Sequence, residues 1–126
     1  MHNLEKGQIF WAKDHKNHKH PIVFLEAEDD EKFLACILST KKINGNIPMS
    51  SDHFFDKKDN GSSYSIKFKT SYLVPSRVFV KEYSWLKSLD PDGRLTESGV
   101  NFVEDNIGDA VPEFLSINIK AERESK

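Results

Sequence analysis

The sequence predicts a mainly β domain, a small and strongly curved β-barrel with one helix near its C-terminus. Three observations support this fold class. Five or six short apolar segments follow one another closely, turn-forming residues separate them, and a helical apolar stripe comes after them. The chain has 126 residues, which suits a single domain over residues 1–119, with 120–126 as a flexible tail.

The first three strands are predicted from apolar runs that lie close together. The run GQIFWAK (7–13) predicts a buried strand, and PIVFLEA (21–27) predicts a second strand that begins at a proline, where no ladder bond need be donated. The run KFLACILST (32–40) predicts a third, largely buried strand. The acidic connection between the second and third strands is short, which favours antiparallel pairing.

The middle of the chain combines turns with further strands. The stretches NGN and DNGSS are typical of turns, because Asn and Gly tolerate positive φ. Between them, NIPM predicts at most a short edge strand, since Pro48 cannot donate to a ladder. SYSIKFKT (63–70) alternates apolar and polar residues and predicts a half-buried strand. SYLVPSRVFV (71–80) predicts another strand, bent or broken at Pro75.

A helix is predicted after the strands. KEYSWLKSL (81–89) fits either one helical turn or an extended link, and DPDG predicts a turn. Thr96 is a candidate N-cap, and Gly108 is placed to end the helix. An apolar stripe at helical spacing lies between them: Val100, Val103 and Ile107. VPEFLSINI (111–119) is left open between a last helix and a strand.

Composition and charge limit the function classes. No apolar run approaches the ~20 residues of a membrane-spanning helix, and the N-terminus lacks a signal-peptide pattern. The net charge of −2 argues against attraction of the whole protein to nucleic acid. Residues 41–87 nevertheless carry nine basic against four acidic residues, which permits a basic face. Cys36 is the single cysteine; we expect a buried thiol, no internal disulfide and a cytoplasmic location without membrane association.

The order of these segments resembles the PemK/MazF group of growth-inhibiting toxins. The matching segments, in chain order, are GQIFWA, HPIVFL, FLACILSTKK, NIPMSSDHF, LVPSRVFVKE and GRLTESGVNFVEDNIG. They cover roughly residues 7–108 and match in pattern and spacing. The resemblance implies an SH3-like barrel that acts as a sequence-selective, metal-independent endoribonuclease on single-stranded RNA. It also implies a toxin–antitoxin system, with a homodimeric toxin that an antitoxin protein inhibits.

The resemblance also implies site residues. In that family an arginine or histidine commonly precedes the second-strand proline, and a threonine or serine ends the third strand. By position these are His20 and the pair Ser39 and Thr40, which are therefore the predicted catalytic residues. The loop DHKNHKH and the pair Ser76–Arg77 depart from the family pattern. The alternative function is thus an inactive barrel of the same fold that binds a protein partner or nucleic acid; an unrelated β-barrel adaptor is a third.

RNA cleavage without metal or cofactor suits these residue types. It needs a base for the 2′-OH, donors for the growing negative charge and an acid for the departing 5′-oxygen. Histidine can serve as base or acid near neutral pH, and a hydroxyl can donate to a phosphate oxygen. Because antiparallel pairing puts the start of one strand beside the end of the next, His20 and Thr40 are predicted at the same rim. The predicted RNA-binding residues are Lys16, Lys19, Lys41, Lys42, His53 and Arg77.

The loop 14–20 permits two other interpretations, a metal cage and a solvated turn. His15, His18 and His20 could ligate zinc, but their spacing fits no closed zinc site and the lysines among them disfavour a dication. No metal is therefore predicted. Aromatic side chains could stack on bases; the candidates are Trp11, Phe54, Phe55, Tyr72 and Trp85.

Overall fold

The computed structural model describes residues 4–13, 19–29, 32–42, 45–80, 83–107 and 113–114. These ranges contain one α-helix, α1 (Glu97–Ile107), and two short 3-10 helices, Ser51–His53 and Tyr83–Trp85. The strands are β1 (Gln8–Lys13), β2 (Lys19–Ala27), β3 (Phe33–Ser39), β4 (Ile47–Pro48), β5 (Tyr72–Val80), β6 (Gly93–Arg94) and β7 (Glu113–Phe114). The prediction of a mainly β chain with a helix near the C-terminus is confirmed.

The strands form one curled sheet in the order β4-β5-β3-β2-β1-β6. All neighbours along this path are antiparallel, including β2 and β3 as predicted, and β7 pairs parallel with β5. Two irregularities bend the sheet. Leu25 is an extra residue of β2 between the pairs Phe24↔Ala35 and Glu26↔Leu34, and such bulges increase local twist.

The second irregularity lies in β5 and bears out the predicted bend at Pro75. Cys36 pairs with Arg77 and the next residue, Ile37, pairs with Val74, so Pro75 and Ser76 are inserted into β5. A proline has no N–H to donate to the ladder, which explains why the register shifts here. The strand itself continues over Tyr72–Val80.

Each face of the sheet carries its own apolar cluster, because successive strand side chains point to opposite faces. One face is covered by Tyr83 and Leu86, in and beside the second 3-10 helix, and is called the 3-10 face. Its strand residues include Phe10, Ala12, Ile22, Phe33, Ile37, Val74, Val78 and Val80. The other, the helix face, is covered by Val103 and Ile107 of α1. Its strand residues include Ile9, Val23, Leu34, Cys36, Leu38 and Leu73.

The predicted strand 63–70 is wrong. This segment joins no ladder beyond an isolated bridge between Lys57 and Ser63. Its backbone bonds go to loops instead: the Tyr64 N–H donates to the Asp56 carbonyl oxygen at 2.9 Å, and the Ile66 N–H donates to that of Asp92 at 2.7 Å. The alternation in the sequence nonetheless reports burial correctly, since Ile66 and Phe68 pack on the helix-face cluster.

Helix α1 begins as predicted. The Gly99 N–H donates to the Thr96 hydroxyl oxygen at 3.2 Å, the capping bond of an N-terminal threonine. The same hydroxyl donates to the Asp52 carbonyl oxygen at 2.7 Å, so the cap also ties α1 to the first 3-10 helix. Gly108 and the predicted tail 120–126 lie outside the described residues. Within the described ranges, no helix has the length and apolar character needed to cross a membrane.

Candidate nucleic-acid interface

One end of the sheet gathers lysine side chains. Because β1, β2, β3 and β5 are antiparallel neighbours, the end of β1, the start of β2, the end of β3 and the start of β5 lie together. We call this end the basic rim. Its exposed lysines are Lys13, Lys19, Lys41, Lys42 and Lys69. Within the described part of the chain, none of these ammonium groups forms an ion pair with a carboxylate.

The opposite end of the sheet carries charges of both signs. Around the start of β1, the end of β2, the start of β3 and β6, the described residues carry four carboxylates and three cations: Glu5, Lys6, Glu26, Glu28, Asp29, Lys32 and Arg94. The net charge of −2 therefore conceals an uneven distribution of charge along the strands. A polyanion would be attracted to the basic rim in preference to the far end.

Three polar side chains lie at the basic rim on adjacent strands. Ser39 at the end of β3 pairs with Tyr72 at the start of β5, and side chains on directly opposite residues have Cβ atoms about 5 Å apart. The β2–β3 ladder begins at the pair Ile22↔Ile37, and His20 and Ser39 each lie two residues beyond it at the same end of the sheet. We call His20, Ser39 and Tyr72 the rim row.

The rim row projects from the 3-10 face. Two residues further along each strand lie Ile22, Ile37 and Val74, all in the cluster on that face. Alternation therefore puts His20, Ser39 and Tyr72 on the same face. All three are half-buried, as expected where a core layer ends and solvent begins.

The turn after β3 is held by two hydrogen bonds. The Lys41 N–H donates to the Ser39 hydroxyl oxygen at 3.0 Å, and the Asn46 side-chain amide donates to the Lys41 carbonyl oxygen at 3.0 Å. These bonds fix the backbone that carries Lys41 and Lys42. Thr40 is exposed and follows the last residue of β3, so it lies at the rim but outside the row.

The other predicted site residues lie elsewhere. His53 is part of the first 3-10 helix, where its Nδ1 accepts a hydrogen bond from the Ser50 N–H at 3.1 Å and its ring lies 4.4 Å from the ring of Phe102. These contacts join the 3-10 helix to α1. Arg77 pairs with Cys36 in the interior of the sheet, so its backbone is away from the rim. Lys16 lies outside the described residues.

The metal-cage interpretation also concerns mostly undescribed residues. His15 and His18 are outside the described ranges, as is Asp14. Among the residues that are described, no three histidines, cysteines or carboxylates are arranged to hold a metal ion.

Cys36 is unsuited to nucleophilic chemistry. It is fully buried in the helix-face cluster. Burial raises the pKa of its thiol to about 12, against the smaller opposing effect of a backbone hydrogen bond at Val23. Since the thiolate is the nucleophile, this side chain stays unreactive at neutral pH, and the predicted buried thiol is confirmed.

The aromatic candidates divide between core and surface. Phe54 is buried, whereas its neighbour Phe55 is 45% exposed and lines a surface groove of about 520 Å³ with Tyr64 and Arg94. Of the groove's cations, the Lys6 ammonium pairs with Glu104 at 2.9 Å and the Arg94 guanidinium with Glu5 at 3.5 Å, whereas Lys57 forms no ion pair with a described residue. The rim has five lysines that form no ion pair within the described part of the chain, which makes it the stronger site for an anion.

Comparison of the chain with models of known protein families and with curated protein sequences gives no match. Function must therefore be argued from the rim itself. The resemblance singled out His20, Ser39 and Thr40, and antiparallel pairing of the second and third strands predicted His20 and Thr40 at the same rim; Tyr72 was predicted only as a possible base-stacking residue and was missed as a neighbour of Ser39. Strands β3 and β5 are separated in the chain by a long segment that contains β4. No local sequence pattern therefore predicts that they pair.

Proposed function

We propose that the protein is a metal-independent endoribonuclease that cleaves single-stranded RNA at the basic rim. The observation that carries the proposal is the rim row, an imidazole and two hydroxyls at the same end of three adjacent strands, together with the five exposed lysines of the rim. The lysines attract the phosphate backbone. The row supplies groups that can move protons and donate to a phosphate at one spot.

The reaction is attack of a ribose 2′-OH on the neighbouring phosphate. His20 takes the 2′ proton, the role of a general base that an imidazole commonly fills. The Ser39 hydroxyl, or that of Thr40 beside it, donates a hydrogen bond to a non-bridging phosphate oxygen as charge grows there. The products are a 2′,3′-cyclic phosphate and a free 5′-OH. Lys19, Lys41 and Lys42 hold the flanking phosphates.

The wider setting follows from the sequence resemblance. We propose that the curled sheet is an SH3-like barrel of the PemK/MazF type and that the protein is a toxin of a toxin–antitoxin pair. In this setting it forms a homodimer in the cytoplasm, and an antitoxin protein blocks the RNA-binding rim. The uneven distribution of charge supports such an inhibitor, because an acidic segment would complement the lysines of the rim.

The second candidate is binding of nucleic acid without cleavage. A specific observation favours it: the described part of the rim holds one imidazole, whereas cleavage needs both a base and an acid. Under this candidate the lysines bind the backbone and His20 contributes only a polar contact.

Cleavage of single-stranded RNA in the presence of EDTA tests the proposal. We expect new fragments that end in a 2′,3′-cyclic phosphate, detected by their resistance to phosphatase until acid opens the ring. His20→Ala should abolish them, while Asn101→Ala on the exposed surface of α1 should cleave at the wild-type rate. RNA that is bound but stays intact with folded protein establishes the second candidate and refutes the nuclease.

A further inference from the structure

Tyr72 occupies a position that the proposed reaction requires. It stands directly opposite Ser39 on the β5 side, while His20 lies at the same end of β2, the strand on the other side of β3. A phosphate held at Ser39 therefore has the imidazole on one side and the phenol on the other. This arrangement matches cleavage, in which proton uptake and proton donation occur on opposite sides of phosphorus.

The phenol is suited to proton donation among the hydroxyls of the row. A tyrosine O–H is protonated at neutral pH and is a far stronger acid than a serine hydroxyl. Tyr72 is half-buried at the start of β5, and a partly buried tyrosine combines an apolar ring with a polar hydroxyl that favours the wet edge of a fold. The five rim lysines, in contrast, are exposed, where water surrounds the ammonium group.

We propose that Tyr72 is a catalytic residue that donates its phenolic proton to the departing 5′-oxygen; this inference rests on the proposed function. The 2′-oxygen forms its bond to phosphorus and passes its proton to His20. The bond from phosphorus to the 5′-oxygen breaks, and the 5′-oxygen takes the proton of Tyr72. The phenolate then regains a proton from the imidazolium through solvent, which restores both groups.

The inference is tested with two RNA substrates of the same sequence. One is natural, and the other carries sulphur in place of the 5′-oxygen at the scissile bond, because a thiolate departs without protonation. Tyr72→Phe keeps the ring and removes only the hydroxyl. Tyr64→Phe, a half-buried tyrosine outside the rim, is the matched control. Equal urea midpoints establish that all variants are folded.

We expect Tyr72→Phe to lower kcat on the natural substrate by about 10² to 10⁴-fold, the usual contribution of a positioned acid, with KM little changed. On the sulphur substrate it should cleave within about threefold of the wild type, since no acid is needed there. His20→Ala should be slow on both substrates, and Tyr64→Phe should match the wild type on both.

Three outcomes overturn the inference. If Tyr72→Phe cleaves natural RNA at the wild-type rate, the Tyr72 hydroxyl has no catalytic role. The nuclease proposal itself would still stand in that case, provided that His20→Ala is inactive. An equal loss on both substrates shows that Tyr72 positions or binds RNA and does not donate a proton to the 5′-oxygen. Intact RNA of both kinds after incubation with the wild-type protein refutes the proposed function and the role of Tyr72 together.

Discussion

The basic rim predicts how RNA affinity depends on salt. Lys41 and Lys42 leave the end of β3 on a turn fixed by two hydrogen bonds, so their side chains start from a defined backbone. If both ammonium groups contact phosphates, replacing them with alanine removes two counterion-releasing contacts. Lys57 and Lys58 form a matched pair: they are also adjacent and exposed, and Lys57 lines the surface groove away from the rim.

The magnitude follows from polyelectrolyte theory. For single strands, the slope of log K against log salt is about −0.7 for each neutralised phosphate, so the double alanine variant should have a slope less steep by about 1.4. At 0.1 M salt the same two contacts contribute about 1.4 units of log K, an affinity loss of about 25-fold. Both double variants lower the net charge equally, so a general charge effect would act alike on them.

The measurement is fluorescence anisotropy with a labelled single-stranded RNA, titrated at several NaCl concentrations in a His20→Ala background to prevent cleavage. The Lys41→Ala/Lys42→Ala protein should show the shallower slope, and Lys57→Ala/Lys58→Ala should keep that of the parent. Equal slopes for the two double variants, or a larger change in the second, would refute the placement of the RNA at the rim.

Three further predictions concern the framework and are each measured by urea unfolding. Burial raises the Cys36 pKa from 9.0 to about 12, so the folded state keeps a proton that the unfolded state loses above pH 9, and stability falls as pH rises from 9 towards 12. Between pH 8 and 10 the wild type should lose about 1 kcal/mol more of its free energy of unfolding than Cys36→Ala loses. Equal losses in the two proteins contradict the burial argument. Thr96→Ala should cost about 1 kcal/mol through the lost cap, and Thr96→Ser should recover most of it; no recovery would mean that the hydroxyl is not the cause. Gly99→Ala should lower the free energy of unfolding by about 1–2 kcal/mol, because a Cβ there would collide with the His53 backbone. The control Asn101→Ala should not lower it. A more stable Gly99→Ala protein would show that the higher helix propensity of alanine outweighs the collision.

The fold was predictable where the signal is local. Strands β1, β2 and β3 are continuous apolar runs with short connections, and the cap of α1 is a feature of a few adjacent residues. The strand predicted for residues 63–70 was wrong for a physical reason. Alternation of apolar and polar residues indicates that one side of a segment is buried, but it does not indicate which backbone groups pair with each other. Its N–H groups find carbonyls in loops that are remote in sequence.

The candidate site was predictable only along the β2–β3 hairpin. His20 and Ser39 come from strands that are adjacent in the chain, so their approach follows from antiparallel pairing. His53 sits in a polar stretch, and only the folded chain brings its ring against Phe102. Predicting that Tyr72 lies beside Ser39 requires knowing that β5 pairs with β3. This pairing is non-local, and no pattern in the single sequence indicates it.

The length of the insertion in β5 determines which face Tyr72 occupies. Val74 and Val78, on either side of Pro75 and Ser76, both belong to the cluster on the 3-10 face. An insertion of two residues preserves the alternation, whereas an insertion of one would turn Val74 and Tyr72 to the helix face. The insertion of two residues therefore both buries Val74 and brings Tyr72 beside Ser39. The core and the rim row thus depend on a single feature of the backbone. At the rim end of this register stands Tyr72, the position at which the chemistry proposed for this protein needs an acid.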